Sequence, residues 1–157
     1  MTVRVGQGFD VHPFSDDRSR PLVLGGVTLP GRGLAGHSDA DVVCHAAADA
    51  LLGAAALGDL GRHFPDDDPR WAGADSLRLL EAVAALVGAE GWTVGNVDVT
   101  VVTEAPRLAP HRQAMEENLS AAVGAPVSIK ATRPEGLGAV GRGEGIACLA
   151  VALVERR

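Results

Sequence analysis

Apolar residues fall into short blocks separated by glycine, proline and aspartate, and the spacing within each block predicts its structure. Val3 to His12 reads as a strand running into a loop. Leu22-Val23-Leu24 and Val27-Thr28-Leu29 flank Gly25-Gly26, a pair that tolerates positive φ and so predicts a two-residue hairpin. A largely apolar helix follows to about Leu57, with Ser38 as its predicted N-cap and Asp39 and Asp41 favouring the positive end of its dipole. The stretch from Gly58 to Gly73 is rich in Gly, Pro and Asp and reads as a loop. Asp75 then caps a second helix ending near Glu90-Gly91. Val94 to Val102 is a strand of β-branched character. A third helix runs from about Leu108 to Val123, Val127 to Ala131 forms another strand, and the glycine-rich Gly136 to Gly145 leads into a last strand, Ile146 to Val154. The fold class that results is α+β, a single domain over 1–157 with a mixed β-sheet, helices packed on one face, and a small β-hairpin.

The candidate chemistry lies where these elements meet. Asp10 and His12 are two apart on a strand, so their side chains project to the same face. His45 lies on the first helix in a polar stripe with Asp41 and Asp49, at i, i+4 and i+8, crossing an otherwise apolar surface. Such a stripe alone reads equally well as a solvent-facing edge. The Asp10/His12 pair tips the balance, because a buried histidine beside carboxylates needs a partner. One carboxylate and two neutral imidazoles suit zinc or another divalent transition metal, and three protein ligands leave a coordination position for water or substrate. The same donor set also describes an iron-dependent oxygenase triad, a second enzyme reading.

Composition narrows the partners. At 157 residues with 46% hydrophobic and 22% charged positions, the chain is globular and buries roughly 70% of its unfolded surface. Its net charge of -6 argues against nucleic acid and against an anionic membrane. A phosphorylated small molecule remains compatible, because a bound cation reverses the local field. Cys44 and Cys148 stand apart in apolar runs and read as reduced core thiols. No signal peptide or membrane-spanning run is evident, so a cytoplasmic location is expected.

Other motifs resolve into structure. Gly136-Leu137-Gly138-Ala139-Val140-Gly141 matches GxGxxG, yet a strand is expected after it rather than a helix, so it is no dinucleotide site. The sequence has no P-loop, no HExxH and no GxSxG. His37 fits an exposed loop as well as a site, and Asp66-Asp67-Asp68 reads most simply as a solvated acidic loop.

Taken with their order along the chain, several stretches resemble the 2-C-methyl-D-erythritol 2,4-cyclodiphosphate synthase family. They are Gly8-Phe9-Asp10-Val11-His12, His37-Ser38-Asp39, Asp49 to Asp59, Phe64-Pro65-Asp66, Gly95 to Thr100, Ala105-Pro106, Pro110-His111 and Gly141 to Cys148. The resemblance spans essentially the whole chain. It implies a phosphorus-oxygen lyase acting on 4-diphosphocytidyl-2-C-methyl-D-erythritol 2-phosphate. The 2-phosphate attacks the β-phosphorus, CMP leaves, and a cyclic diphosphate forms.

Carried over by position, the resemblance implies zinc on Asp10, His12 and His45, and magnesium or manganese on Glu135. His37 and Ser38 would contact phosphate or the erythritol part, and Asp59, Gly61, Phe64, Pro65, Asp66, Asp67 and Asp68 the erythritol phosphate region. Ala105, Pro106, Arg107, Leu108, Ala109 and Thr132 would form the cytidine pocket. Catalytic roles would fall to His37, Glu135 and Arg133. The family usually reads Ala-Thr-Thr-Thr-Glu where this chain has Ala131-Thr132-Arg133-Pro134-Glu135, so a guanidinium stands where a threonine is thought to polarise a phosphate. Ala139 replaces a common aromatic residue, and Arg107 a lysine. The resemblance further implies a homotrimer with shared active sites and an axial cavity near Arg142 and Glu144 that takes an isoprenoid diphosphate. An alternative that the changes at Arg133 and Pro134 raise is a catalytically altered trimeric zinc protein that binds isoprenoid diphosphates.

Overall fold

In the computed structural model, which describes residues 1–157, four strands form one mixed sheet. They are β1 (Thr2–Pro13), β4 (Thr93–Val102), β5 (Val127–Thr132) and β6 (Gly145–Arg156), in the order β1-β6-β4-β5. β6 runs antiparallel to both its neighbours, and β4 pairs parallel with β5. The parallel pair needs a crossover, which is supplied by α4 (Arg112–Val123). The separate hairpin is β2 (Leu22–Leu24) and β3 (Val27–Leu29), turned at Gly25 and Gly26 with φ of 58° and 71°. The α+β reading holds.

Three helices cover one face of the sheet: α1 (Val42–Ala55), α3 (Ser76–Ala89) and α4. α1 is buried along nearly its whole length and lies on β1 and β6. Two glycines make that contact possible. A Cβ at Gly6 would stand 2.0 Å from the Ala50 carbonyl oxygen, and one at Gly8 1.9 Å from that of Ala46. The even positions of β1 therefore face the helix layer, and Asp10 and His12 belong to that set.

The opposite face of the sheet has no helix. Val3, Val5, Phe9 and Val11 are exposed there, with Val151 beside them on β6. Phe9 pairs with Leu149 and Val5 with Leu153 across the ladder, so apolar side chains of β1 and β6 stand side by side on this face.

Several local expectations are revised. The N-cap of α1 is Asp41, not Ser38. Asp41 is fully buried, and its carboxylate accepts from the Val43 and Cys44 amides and from Gly25 and Gly26 at the hairpin turn. It therefore leaves the polar stripe and faces the hairpin. α1 ends at Ala55, where Ala56 takes a left-handed conformation, two residues before the expected limit. The Gly58–Gly73 stretch contains α2 (Leu60–His63), capped by Asp59, and a 3-10 turn at Pro69–Trp71, capped by Asp68. α4 starts at Arg112 instead of Leu108, because Pro110 disfavours a helical Ala109 before it. The Gly136–Gly145 loop holds one helical turn, α5 (Gly138–Gly141). Cys44 and Cys148 are buried and unpaired, and burial pushes both thiols up. No helix is long and apolar enough to cross a membrane.

Candidate active site

Asp10, His12 and His45 meet where the end of β1 passes under α1. His12 Nε2 lies 2.9 Å from Asp10 Oδ2, His45 Nδ1 lies 3.1 Å from the same oxygen, and the two nitrogens are 3.3 Å apart. Tetrahedral zinc with bonds near 2.0–2.1 Å places its ligand atoms about 3.3 Å from one another, so this triangle is close to one face of that polyhedron.

Proton positions decide what these atoms can do. His12 Nδ1 is 2.8 Å from the Ala35 carbonyl oxygen, which only accepts, so Nδ1 carries the proton. His45 Nε2 is 2.8 Å from Ser76 Oγ, whose own hydrogen goes to Asp39, so across this contact, shorter than the 3.2 Å to Ser38 Oγ, Nε2 donates. The inward nitrogens of the two neutral rings are then bare, and they converge with a carboxylate oxygen. Three acceptors pointing at one another repel unless a cation lies among them. The donor set fits a divalent metal.

Burial alone would raise the Asp10 pKa, but hydrogen bonds and charge from His12 and His45 hold it well below the usual carboxylate range. For His12, burial pulls downward and the Asp10 bond and charge outweigh it, leaving the pKa above 6.5.

These groups line a cavity of about 410 Å³, together with Gly36, His37, Ser38, Asp49, Leu60, Gly61, Phe64, Asp66, Trp71 and Leu79. Asp49 accepts from the Leu60 amide at 2.7 Å, and burial pushes its pKa up. His37 Nε2 donates to the Asp68 carbonyl, which ties the cavity rim to the acidic loop. Phe64 and Trp71 pack edge to face in the wall. Of the expected erythritol-side residues, Gly61, Phe64 and Asp66 reach this wall. Asp59, Pro65, Asp67 and Asp68 do not. Asp59 caps α2, and Asp68 caps the 3-10 turn and pairs with Arg70 at 2.6 Å.

The remaining expected residues gather elsewhere. Pro106, Arg107, Leu108, Ala109, Thr132 and Arg133 line a second cavity of about 310 Å³, with Thr103, Glu104 and Ala131. It shares no lining residue with the first. Neither Arg107 nor Arg133 takes part in any of the ion pairs. Glu135 is exposed with φ 55°, and the next amide, Gly136 N–H, donates to Glu104 Oε1 at 2.7 Å. Glu104 thus holds the loop that carries Glu135, a link no spacing in the sequence reveals. Ala105 accepts from Thr103 Oγ1 beside this cavity, and Arg142 pairs with Glu144 at 2.9 Å on the surface.

Residues 3–155 match the YgbB family. The chain belongs to that family. YgbB-family relatives include the 2-C-methyl-D-erythritol 2,4-cyclodiphosphate synthase of Methylococcus capsulatus, 58% identical over 158 residues, covering 98% of this chain and 99% of that protein. The synthase of Trichlorobacter lovleyi is 53% identical over 156 residues and covers 97% and 98%. Among solved structures, the bifunctional IspDF of Campylobacter jejuni superposes with a TM-score of 0.94 at 39% identity. It covers 99% of this chain, which spans 43% of the bifunctional one. A Plasmodium falciparum IspF in complex with CDP superposes at 0.85 with 30% identity, covering 99% and 97%.

Proposed function

We propose that this chain is a 2-C-methyl-D-erythritol 2,4-cyclodiphosphate synthase, a phosphorus-oxygen lyase that closes 4-diphosphocytidyl-2-C-methyl-D-erythritol 2-phosphate into the cyclic diphosphate and releases CMP. The observation that carries the reading is the converging Asp10/His12/His45 triangle inside a cavity, in a chain of this family. The relatives compared are synthases, which leaves the non-catalytic zinc-protein alternative without support.

Two anionic phosphates must be brought together, so charge repulsion and the entropy of ring closure oppose the reaction. Zinc held by Asp10, His12 and His45 would supply a Lewis acid for phosphate oxygen. Glu135 would hold magnesium or manganese, with phosphate and water completing the shell in the way such ions are ordinarily bound. His37 and Asp66, on the cavity wall, would orient the erythritol part, with Phe64, Leu60 and Leu79 excluding water from one side. Ala105 to Ala109 and Thr132 would hold the cytidine, in keeping with the CDP complex of the Plasmodium relative. Arg133 and Arg107 would grip the diphosphate, since their guanidinium groups are free of carboxylate partners.

The two cavities have no residue in common, which supports sites completed between neighbouring chains of a homotrimer. The uncovered apolar face around Val5, Phe9 and Val151 supports association of this kind, and Arg142 would meet an isoprenoid diphosphate in an axial cavity. A cytoplasmic location accords with this reading.

The test is product analysis. Zinc- and magnesium-loaded protein given the substrate should yield CMP and the cyclic diphosphate, with no oxygen incorporated from labelled water. CMP accompanied only by a linear bisphosphate would make the activity a hydrolysis and overturn the reading.

A further inference from the structure

Both metal-facing histidines are held from behind by one short segment, residues 35 to 39. Ala35 accepts from His12, and Ser38 Oγ lies 3.2 Å from His45 Nε2. Arg20 clamps the segment, donating from Nε to the Leu34 carbonyl and from Nη2 to the Ser38 carbonyl. The segment also reaches α3. Asp39 accepts from the Ser76 amide with Oδ2 at 3.1 Å and from the Ser76 hydroxyl with Oδ1. Ser76 Oγ in turn lies 2.8 Å from His45 Nε2 and is only 1% exposed.

From this chain of contacts we infer that Asp39 and Ser76 are positioning residues for metal binding: Asp39, acting through the Ser76 hydroxyl, keeps the His45 proton on Nε2 and leaves Nδ1 free as a ligand. The inference rests on the reading of Asp10, His12 and His45 as a metal centre.

The physical reason is a competition between tautomers. A hydroxyl has one hydrogen. While Asp39 accepts it, Ser76 can offer His45 only a lone pair, so Nε2 donates across this contact, the shorter of its two, Ser38 Oγ standing farther off at 3.2 Å. Remove the carboxylate and the hydroxyl turns freely, so it can donate to a bare Nε2 equally well. The proton then moves to Nδ1, which faces Asp10 Oδ2 at 3.1 Å. That alternative bond is a good one, and it fills the position the metal requires. Asp10 therefore works against its own ligand set unless the relay opposes it. Buried groups that fix a ligating histidine in this way are commonly worth ten- to a hundredfold in metal affinity.

The experiment measures zinc affinity by chelator competition for the wild type, Asp39→Asn and Ser76→Ala, with circular dichroism to verify folding. It is paired with side-chain nitrogen NMR of His45 in the metal-free wild type, which reads which ring nitrogen carries the proton. The expected result is roughly a ten- to hundredfold loss of affinity in both variants, and a His45 proton on Nε2 in the wild type. Folded variants that bind zinc as tightly as the wild type would overturn the relay. So would a wild-type His45 protonated on Nδ1, a measurement that stands even if a variant fails to fold. A wild type that binds no zinc would instead remove the metal reading itself, and none of these readouts depends on turnover of the substrate.

Discussion

Gly8 lies so close beneath Ala46 that a Cβ on it would stand 1.9 Å from the Ala46 carbonyl oxygen. This contact sets the spacing between β1 and α1, and with it the distance from Asp10 to His45, the residue just before Ala46. A methyl group there has no flexible neighbour to displace, because it meets backbone. Gly8→Ala should therefore cost about 1–3 kcal/mol or more through overpacking and should weaken zinc binding as well. Chemical denaturation and chelator competition on the same variant measure both effects. A variant that loses stability and keeps full zinc affinity would mean that the strand–helix spacing does not govern the site.

The buried Asp41 carboxylate joins two elements. It receives four backbone amides, two from the start of α1 and two from the β2–β3 turn, and the Cys44 thiol as well. Burial pushes its pKa up, and those donors hold the charged form against that pull. Asp41→Ala loses a helix cap, worth about 0.5–2 kcal/mol, and strands buried donors at about 1–3 kcal/mol each. The expected outcome is destabilisation of at least about 3 kcal/mol, read as a shift in denaturation midpoint with little change in its slope.

How far the sequence reveals these relationships depends on whether a signal is local. Strand alternation puts Asp10 and His12 together, and the helical stripe supplies His45, so the candidate metal cluster is legible. The true cap of α1 is not. Ser38, Asp39 and Asp41 are all short polar residues before an apolar run, and Asp41 prevails because the distant Gly25-Gly26 turn supplies two further donors. α2 is hidden for a similar reason, since its first amide is held by Asp49 from another helix. Ser76 looks like any serine at a helix start. Its contact with His45 exists only because α3 packs on α1. The separation of Arg133 and Glu135 from the Asp10/His12/His45 cluster is likewise tertiary, because residue types carry no distance.

If zinc binds the Asp10/His12/His45 cluster, it competes with protons for His12 Nε2, which gives a pH dependence with a definite sign. In the metal-free protein the His12 pKa is raised. Its contribution is fully present below the unfolded value of about 6.5 and is lost as pH rises through the folded value. The Asp10 contribution runs the other way, present above about 3.9 and lost as pH falls through its depressed value. Zinc needs the imidazoles deprotonated, so it binds more tightly as pH rises. The rise in melting temperature on adding zinc should therefore grow between about pH 6 and pH 8. Melts with and without zinc check this, and an increment that shrinks over that range would contradict it.

Arg133 is exposed on the second cavity and forms no ion pair there. An unpaired guanidinium in an acidic protein is suited to a diphosphate. Hydrogen bonds to charged groups contribute about 1.5–3 kcal/mol, so Arg133→Ala should lower kcat/KM by roughly ten- to a hundredfold. Arg133→Lys should lose less than alanine but not recover fully, since a point charge replaces a planar fork. Steady-state kinetics decide, and an Arg133→Ala enzyme as active as the wild type would assign the cavity's phosphate contact to Arg107 instead.

If each site is completed by two chains, two defective proteins should repair one another. His45→Ala removes one member of the Asp10/His12/His45 cluster and leaves the Arg107/Arg133 cavity intact, whereas the double variant Arg107→Glu, Arg133→Glu does the reverse. Within one chain these cavities share no residue, so neither change should disturb the fold of the other half. When the two proteins are mixed so that subunits exchange, about a quarter of the interfaces in a closed ring join an intact metal half to an intact cation half. Activity should return to about that fraction of wild type. Sites contained in single chains would give no recovery at any ratio, because every chain in the mixture carries a lesion.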